Sequence, residues 1–339
     1  MAFEREITEP VDLCDSRGRL NPSARGWART PLLRANLRRA WGRKKRWDYW
    51  CVNTPAVVIS FVYADIDYAG LASVWVMEHA TGLQATAGVL IPLGRGFAMP
   101  EQVCTGTVEY RGKGFTLLIE ETAAGTRLVA TADTSANGPI AVDVTVAKPV
   151  GHESLNVVIP WSDRRFQFTS KQNARPAHGT VKVGEHGWDV GADAWGVQDL
   201  GRGIWPYSNR WNWAAASGHS TDGRVVGLQF GGKWTEGTGA TENALCIDGR
   251  LTKISEELVW DYAWDEPMKP WRVRTPGSDQ VDVVLTPTFD RYDVTDVKVV
   301  KMEVHQCFGT WSGRVLGDDG VPVEIDGIRG FAEEARNRW

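Results

Sequence analysis

The chain runs to 339 residues, 42% hydrophobic and 24% charged with a net charge of −4, the balance of a soluble globular protein. That length admits one large β-domain or two medium ones. The longest apolar run, Pro55 to Ala64, is strand-sized and excludes a membrane-spanning helix as the reading of the sequence.

The opening MAFEREITEP is acidic and lacks the apolar core of a secretory signal. Five cysteines (14, 51, 104, 246, 307) are scattered without metal-finger spacing, so reduced thiols and a cytoplasmic location are expected. Residues 1–30 read as irregular, with Gly18, Asn21, Pro22 and Gly26 as punctuation. Eleven of the 38 Lys and Arg fall within residues 17–46, which hold no acid, so 27 basic groups face 42 acidic ones in the remainder. Thr30-Pro31 offers an N-cap and a first-turn proline. Leu33, Leu37, Ala40 and Trp41 recur at helical spacing, which predicts a short basic helix to about Arg46. This segment suits a latch on the acidic body first and an anionic membrane surface through residues 17–46 second, with the protein then peripheral at the membrane. Nucleic acid comes last, because the chain is acidic overall and carries no nucleic-acid motif.

Beyond Trp47 strand follows strand. AVVISFVYA (56–64) and LASVWVME (71–78) lead, and GTVEY (106–110) and FTLLIEE (115–121) suggest a hairpin. PIAVDVTVAK (139–148) alternates, with Ile140, Val142, Val144 and Val146 on one face. Later strands are predicted at 164–171, 179–184, 224–232, 280–287 and 297–309, and Asp248-Gly249 marks a type I′ hairpin. The fold class expected is all-β: two antiparallel β-barrels or sandwiches side by side, preceded by the short basic helix. The division expected is a basic segment over 1–46, a first barrel over 47–180 and a second over 181–339.

The order WDYW (47–50), FTSKQNARPAHGTV (168–181), DLGRGIWPYSNRWNWA (199–214), TENALCIDGRL (241–251) and FGTWSGRV (308–315) resembles the family catalogued as domain of unknown function 2804, over nearly the whole chain. The resemblance implies paired lipocalin-like barrels. It places the chain near carotenoid hydratases (hydroxyneurosporene synthase), tocopherol cyclase and the two-barrel AttH proteins, and brings isoprenoids or other apolar ligands as a substrate class by analogy.

The residues themselves point to a pocket. Seventeen tryptophans are present, five of them between Trp188 and Trp213, and the stretch DLGRGIWPYSNRWNWA sets an acid, an arginine and a tyrosine among them. Trp195, Trp205, Trp211 and Trp213 would wall a barrel mouth. There Asp199, raised by burial, would be a proton donor, with the indole faces stabilising the cation that follows. Arg202, three residues on, would alternatively hold Asp199 in a salt bridge. Glu242, beside Asn243, would give a carboxylate pair with Asp199, and Tyr207 is the third catalytic candidate. Lys171 and His178 flank SKQNARPAH and, with Arg202 and Asn243, complete the substrate-binding candidates. For each acid a purely structural role competes, as a turn cap or a backbone acceptor. No HxH, HExxH, phosphate loop or nucleophile elbow occurs, so neither a metal nor a cofactor is expected.

Three functions fit. The first is a cofactor-independent acid–base enzyme of hydratase, isomerase or cyclase type, acting on an isoprenoid or other apolar molecule. The second is a non-catalytic lipid carrier. The third is a carbohydrate-active or sugar-binding protein using the Trp wall with Asp199 and Glu242. The polar groups of the Trp-rich stretch favour the enzyme.

Overall fold

The computed structural model describes residues 4–297 and 300–338. Residues 1–3, residues 298–299 of the predicted strand at 297–309, and residue 339 lie outside them. Among the described residues one sheet holds thirteen strands and a second holds nine, each antiparallel and curled into a half-barrel.

The first sheet runs from Gln84–Pro92 through Ala69–Glu78, Val57–Asp65 and Lys44–Asn53 to Trp195–Ile204, then through Phe166–Val183 and Ile140–Ala147 to Thr107–Gly112. Its concave face is filled by alternate residues, among them Ile59, Phe61, Val74, Ile119, Val142 and Val144. The alternation at Ile140, Val142, Val144 and Val146 is present as expected, with all four buried. The second sheet centres on Ser208–His219, flanked by Val225–Gly232 on one side and Pro322–Arg338 and Val300–Leu316 on the other. Leu228, Phe230, Val283, Trp311 and Ala332 fill its interior. Asp248 and Gly249 both have positive φ, at 48° and 79°, and join two paired strands as the hairpin signal required.

The basic helix does not form. Leu33–Arg34 is a short strand parallel to Val11–Asp12, and Lys44–Asn53 is a central strand of the first sheet. The Leu13 N–H donates to Arg34 O at 2.9 Å and Ala35 N–H to Glu101 O at 2.8 Å. An isolated helix of that length is marginal, and Arg34/Arg38 and Arg39/Arg43 would set like charges one turn apart. Of the apolar residues that mimicked a helix stripe, Leu33, Leu37 and Ala40 instead lie against the sheet, with Leu33 in the cluster of Leu13, Leu20, Phe166, Phe168, Leu200 and Ile204, while Trp41 is exposed.

One irregularity positions the site. The Phe166–Val183 strand pairs with Trp195–Ile204 in regular register as far as Gln172, then breaks before Arg175, with Ala174 at φ 56°. The bulge is pinned to the second sheet. Ala174 N–H donates to Ser217 Oγ at 2.8 Å and Asn173 Nδ2 to Leu228 O at 2.5 Å, while Gly227 leaves room for both residues.

Candidate functional site between the half-barrels

Directly paired residues on antiparallel strands project from the same face. Lys171 pairs with Asp199, and Asp199 with Tyr49, so the three form a row across the first sheet. In the second sheet Trp213 pairs with Gly231 on one side and Glu333 on the other, and Glu333 pairs with Gln306. The two rows face each other. The Lys171 ammonium lies 4.2 Å from the centre of the Trp213 ring, the Tyr49 ring meets Trp213 edge-on at 5.5 Å, and Gln306 Nε2 donates to the Tyr49 hydroxyl at 3.3 Å.

Lys171 is the joint of this arrangement. Its Nζ is 2.9 Å from Asp199 Oδ1 and 3.2 Å from Glu242 Oε1, and its side chain is only 4% exposed. Asp199 also accepts from Trp47 Nε1 at 3.1 Å and from Thr169 Oγ1 at 3.3 Å. Two glycines make the approach possible. A Cβ on Gly201 would lie 2.1 Å from the Trp47 ring, and one on Gly231 would lie 2.6 Å from Glu242 Oε2. Trp213 Nε1 is held by Gln229, at 3.0 Å, whose amide in turn donates to Glu242 O.

The electrostatics follow from burial. Removal from water raises the Glu242 carboxyl to about 7, with Asp199 adding to the rise and Lys171 opposing it. Burial likewise lifts Glu333 to about 7 against hydrogen bonds from Trp211 Nε1, at 2.8 Å, and Gln306 Nε2, at 3.0 Å. For Lys171 burial works against the charge, yet Asp199 and Glu242 outweigh it and hold the ammonium above its ordinary range. The cluster therefore keeps one fixed cation beside acids that exchange protons near neutrality.

Trp205 is the hub of the aromatic wall beside it. It lies parallel to Trp234 at 5.8 Å and meets the edges of Trp47, Trp161 and Trp211 at 5.5, 5.1 and 5.8 Å. These rings stand between the two half-barrels, in clusters that draw residues from both sheets, and not inside either concave core. Asp199 keeps 14% of its side chain exposed, and Trp47, Tyr49 and Trp211 beside it are likewise only half-buried.

The expected site residues thus separate into those brought together and those held apart. Asp199, Glu242, Lys171 and Trp213 meet. Trp211 reaches the cluster through Glu333, and Trp205 through Trp47. Trp195 projects from the Asp199 face but meets His219 edge-on at 5.3 Å. Arg202 does not pair with Asp199. The two lie three positions apart along the strand, so Arg202 points to the opposite face, donates to Trp47 O and Gly201 O at 2.7 and 2.9 Å, and lies near Asp48. Asn243 ties neighbouring segments together, accepting from Gly231 N–H at 2.8 Å and donating to Glu256 O at 3.0 Å. His178 is exposed beyond the bulge opposite Thr145, and Tyr207 is exposed under the Arg43 guanidinium. Trp47, Tyr49, Thr169, Gln229, Gln306 and Glu333 join the site without having been singled out. Trp47 and Tyr49 left a trace as the alternate residues of WDYW, and Thr169 stands within the quoted stretch FTSKQNARPAHGTV.

A cavity of about 400 Å³ opens on the other face of the second sheet, lined by Arg210, Lys233, Trp260, Tyr262, Glu334 and Arg336 among others. Burial pushes Glu334 up, but hydrogen bonds from Arg336, Lys233, Tyr262 and Arg210 prevail and hold it at about 2. Its carboxylate is an anchor and not a proton donor. Among the described residues no group of three or more His, Cys, Asp or Glu side chains is arranged to hold a metal ion.

Comparison with known structures agrees with this architecture. CghA, solved with Sch210972, superposes with a TM-score of 0.52 at 11% identity over 87% of this chain and 88% of that one. Kievitone hydratase from Nectria haematococca gives 0.46 at 9% identity over 87% and 88% of the two chains. An AttH protein from Nitrosomonas europaea gives 0.47 at 12% identity over 86% and 92%. At such identities the CghA likeness establishes the fold alone. No curated protein matches the chain. The model of one family, described as a domain of unknown function (DUF2804), matches residues 4–339, and the chain belongs to that family.

Proposed function

We propose that the protein is an acid–base enzyme that protonates, or shifts a proton within, an apolar small molecule at the Lys171 cluster. The observation that carries this reading is the Lys171 ammonium set between Asp199 at 2.9 Å and Glu242 at 3.2 Å on the face of Trp213. Glu242, raised to about 7, is protonated in a substantial fraction of molecules at neutral pH and can give its proton to an alkene or carbonyl carbon skeleton. Lys171 and Asp199 hold that acid in place, Glu333 supplies a second exchangeable proton nearby, and the indole faces stabilise positive charge on the substrate. Hydration, isomerisation and cyclisation all begin with such a proton transfer, and the class of substrate is an isoprenoid or similarly apolar ligand. CghA, of the same fold, has been solved with Sch210972, so this architecture takes up a ligand in at least one case.

The test is incubation of the protein with a panel of unsaturated isoprenoids and lipids in D2O, read by mass spectrometry. Carbon-bound deuterium or a water adduct that disappears with Glu242→Gln supports the reading. Product formed equally by Glu242→Gln and Asp199→Asn contradicts it. A second reading, a lipid carrier, is favoured by the mutual packing of Trp205 and Trp234, and it predicts ligand retention with no exchange in any variant.

A further inference from the structure

The basic N-terminal segment, which forms no helix, is folded so that arginines from three separate stretches converge. Arg17 and Arg19 come from the turn after Asp15, Arg38 and Arg39 from the segment that follows Asn36, and Arg164 and Arg165 from the turn before Phe166. Together with Gly18, Ala40 and Ile204 they line one cavity of about 460 Å³. Six guanidinium groups around one space repel one another unless something of opposite charge stands among them.

The protein supplies little of that charge itself. Asp163 pairs with Arg19 at 3.2 Å, both about half exposed. Asp15 is occupied by backbone, accepting from Arg17 N–H and Arg19 N–H at 2.9 and 2.8 Å. Asp12 is taken by Arg34 at 2.6 and 2.7 Å. Arg165 donates to Arg164 O at 2.9 Å, a backbone carbonyl that brings no negative charge. Among the described residues the side chains of Arg17, Arg38, Arg39 and Arg164 make no ion pair. The backbone is bent to bring them together: Arg39 and Ala40 are consecutive non-glycine residues at φ 61° and 49°, and Gly18 sits at 74° against Arg38 O. Strain of this kind at consecutive L-residues gathers at ligand sites. Trp41, immediately after, is 69% exposed.

We infer that this basin is a binding site for a phosphate-bearing ligand, its oxyanions received by the forked guanidinium groups of Arg17, Arg38, Arg39 and Arg164. Planar, permanently charged forks match phosphate oxygens two at a time, and a set of four suits a diphosphate or a phosphomonoester better than a single carboxylate. Ile204 lies an odd number of residues from Asp199 on one regular strand, so the basin opens on the opposite face of the sheet from the Lys171 cluster. It is a second site, independent of the acid–base reading. The ligand is a free phosphorylated molecule or the phosphate headgroup of a lipid, and the exposed Trp41 suits the latter.

The full chain is titrated with inorganic pyrophosphate by calorimetry at low salt and co-sedimented with phosphatidylcholine vesicles with and without phosphatidic acid. The native protein is expected to bind pyrophosphate, phosphatidic-acid vesicles, or both, and to release them as salt rises. The double variant Arg38→Gln/Arg164→Gln, exposed at both positions, should bind about tenfold more weakly or worse with an unchanged melting midpoint. Arg127→Gln, an exposed arginine already paired with Asp143, should bind like the native protein. Pyrophosphate binding without vesicle binding identifies a soluble ligand, and vesicle binding that needs phosphatidic acid identifies a headgroup. Failure of the native protein to bind either probe overturns the inference, as does equal loss in Arg127→Gln or native-like binding by the double variant.

Discussion

Glu333 and Glu334 are neighbours on the last strand, yet burial raises the first to about 7 while the hydrogen bonds of four side chains hold the second at about 2. The pleat alone separates them, sending Glu333 to the junction with the first sheet and Glu334 to the cavity of the second. The fold favours the protonated form of Glu333, so its contribution to stability is complete below pH 4.5, shrinks as pH rises towards 7 and is lost above that. Glu334 behaves oppositely, contributing above pH 4.5 and losing that contribution as pH falls towards 2.

Denaturant unfolding of Glu333→Gln at pH 5 and pH 8 should therefore show a flatter pH dependence than the native chain, by up to about 3 kcal/mol between the two. Glu334→Gln should be destabilised at both pH values, by about 2 kcal/mol, because Arg210, Lys233 and Arg336 are left without their carboxylate. Equal behaviour of the two variants would contradict the separation.

Lys171→Met fills a similar volume but leaves Asp199 and Glu242 facing each other without a cation. A loss of roughly 3–5 kcal/mol at pH 8 is expected, with partial recovery at pH 5, where Glu242 is protonated. Adding Glu242→Gln to Lys171→Met should restore part of the loss at pH 8. No recovery in the double variant would show that Glu242 is not the charge left stranded.

Gly201→Ala places a methyl group on the Trp47 ring, and the indole must leave the sheet. The expected cost is about 1–3 kcal/mol, accompanied by a shift in tryptophan emission as the Asp199 hydrogen bond is lost. Trp47→Phe keeps a ring without the N–H, so it should fold nearly as well while removing one hydrogen bond to Asp199. A Gly201→Ala protein with native stability and emission would count against the contact.

Much of the architecture was legible because a strand advertises itself locally. The period of two at Ile140 to Val146 and the Asp248-Gly249 turn needed no knowledge of the rest of the chain. The helix over residues 31–46 failed on the same footing. Four apolar residues at helical spacing count for little once Leu33 can bury against Phe166 and Leu200 and the backbone finds partners at Leu13 and Glu101. Asp199 and Glu242 could be paired from their chemistry, and their separation is set by Lys171. Glu333 could not be found, since its place depends on pairing the last strand with Trp213, 120 residues earlier. The tryptophans read as a barrel lining for a similar reason: which face of a sheet meets a second sheet is decided by docking, not by composition. Pairing within the first sheet makes Lys44–Asn53 a central strand, so the basic segment is tested by side-chain variants and not by deletion.

The central claim is that a buried carboxyl of the Lys171 cluster exchanges its proton near neutrality, and carboxyl infrared difference spectroscopy between pH 5 and pH 9 tests it most directly. The account predicts a protonated-carboxyl band that disappears with a midpoint about pH 7, weakens in Glu242→Gln and moves to lower pH in Asp199→Asn as the neighbouring negative charge is removed. A native protein with no carboxyl titrating above about pH 5.5, or a band unchanged by Glu242→Gln, would contradict it.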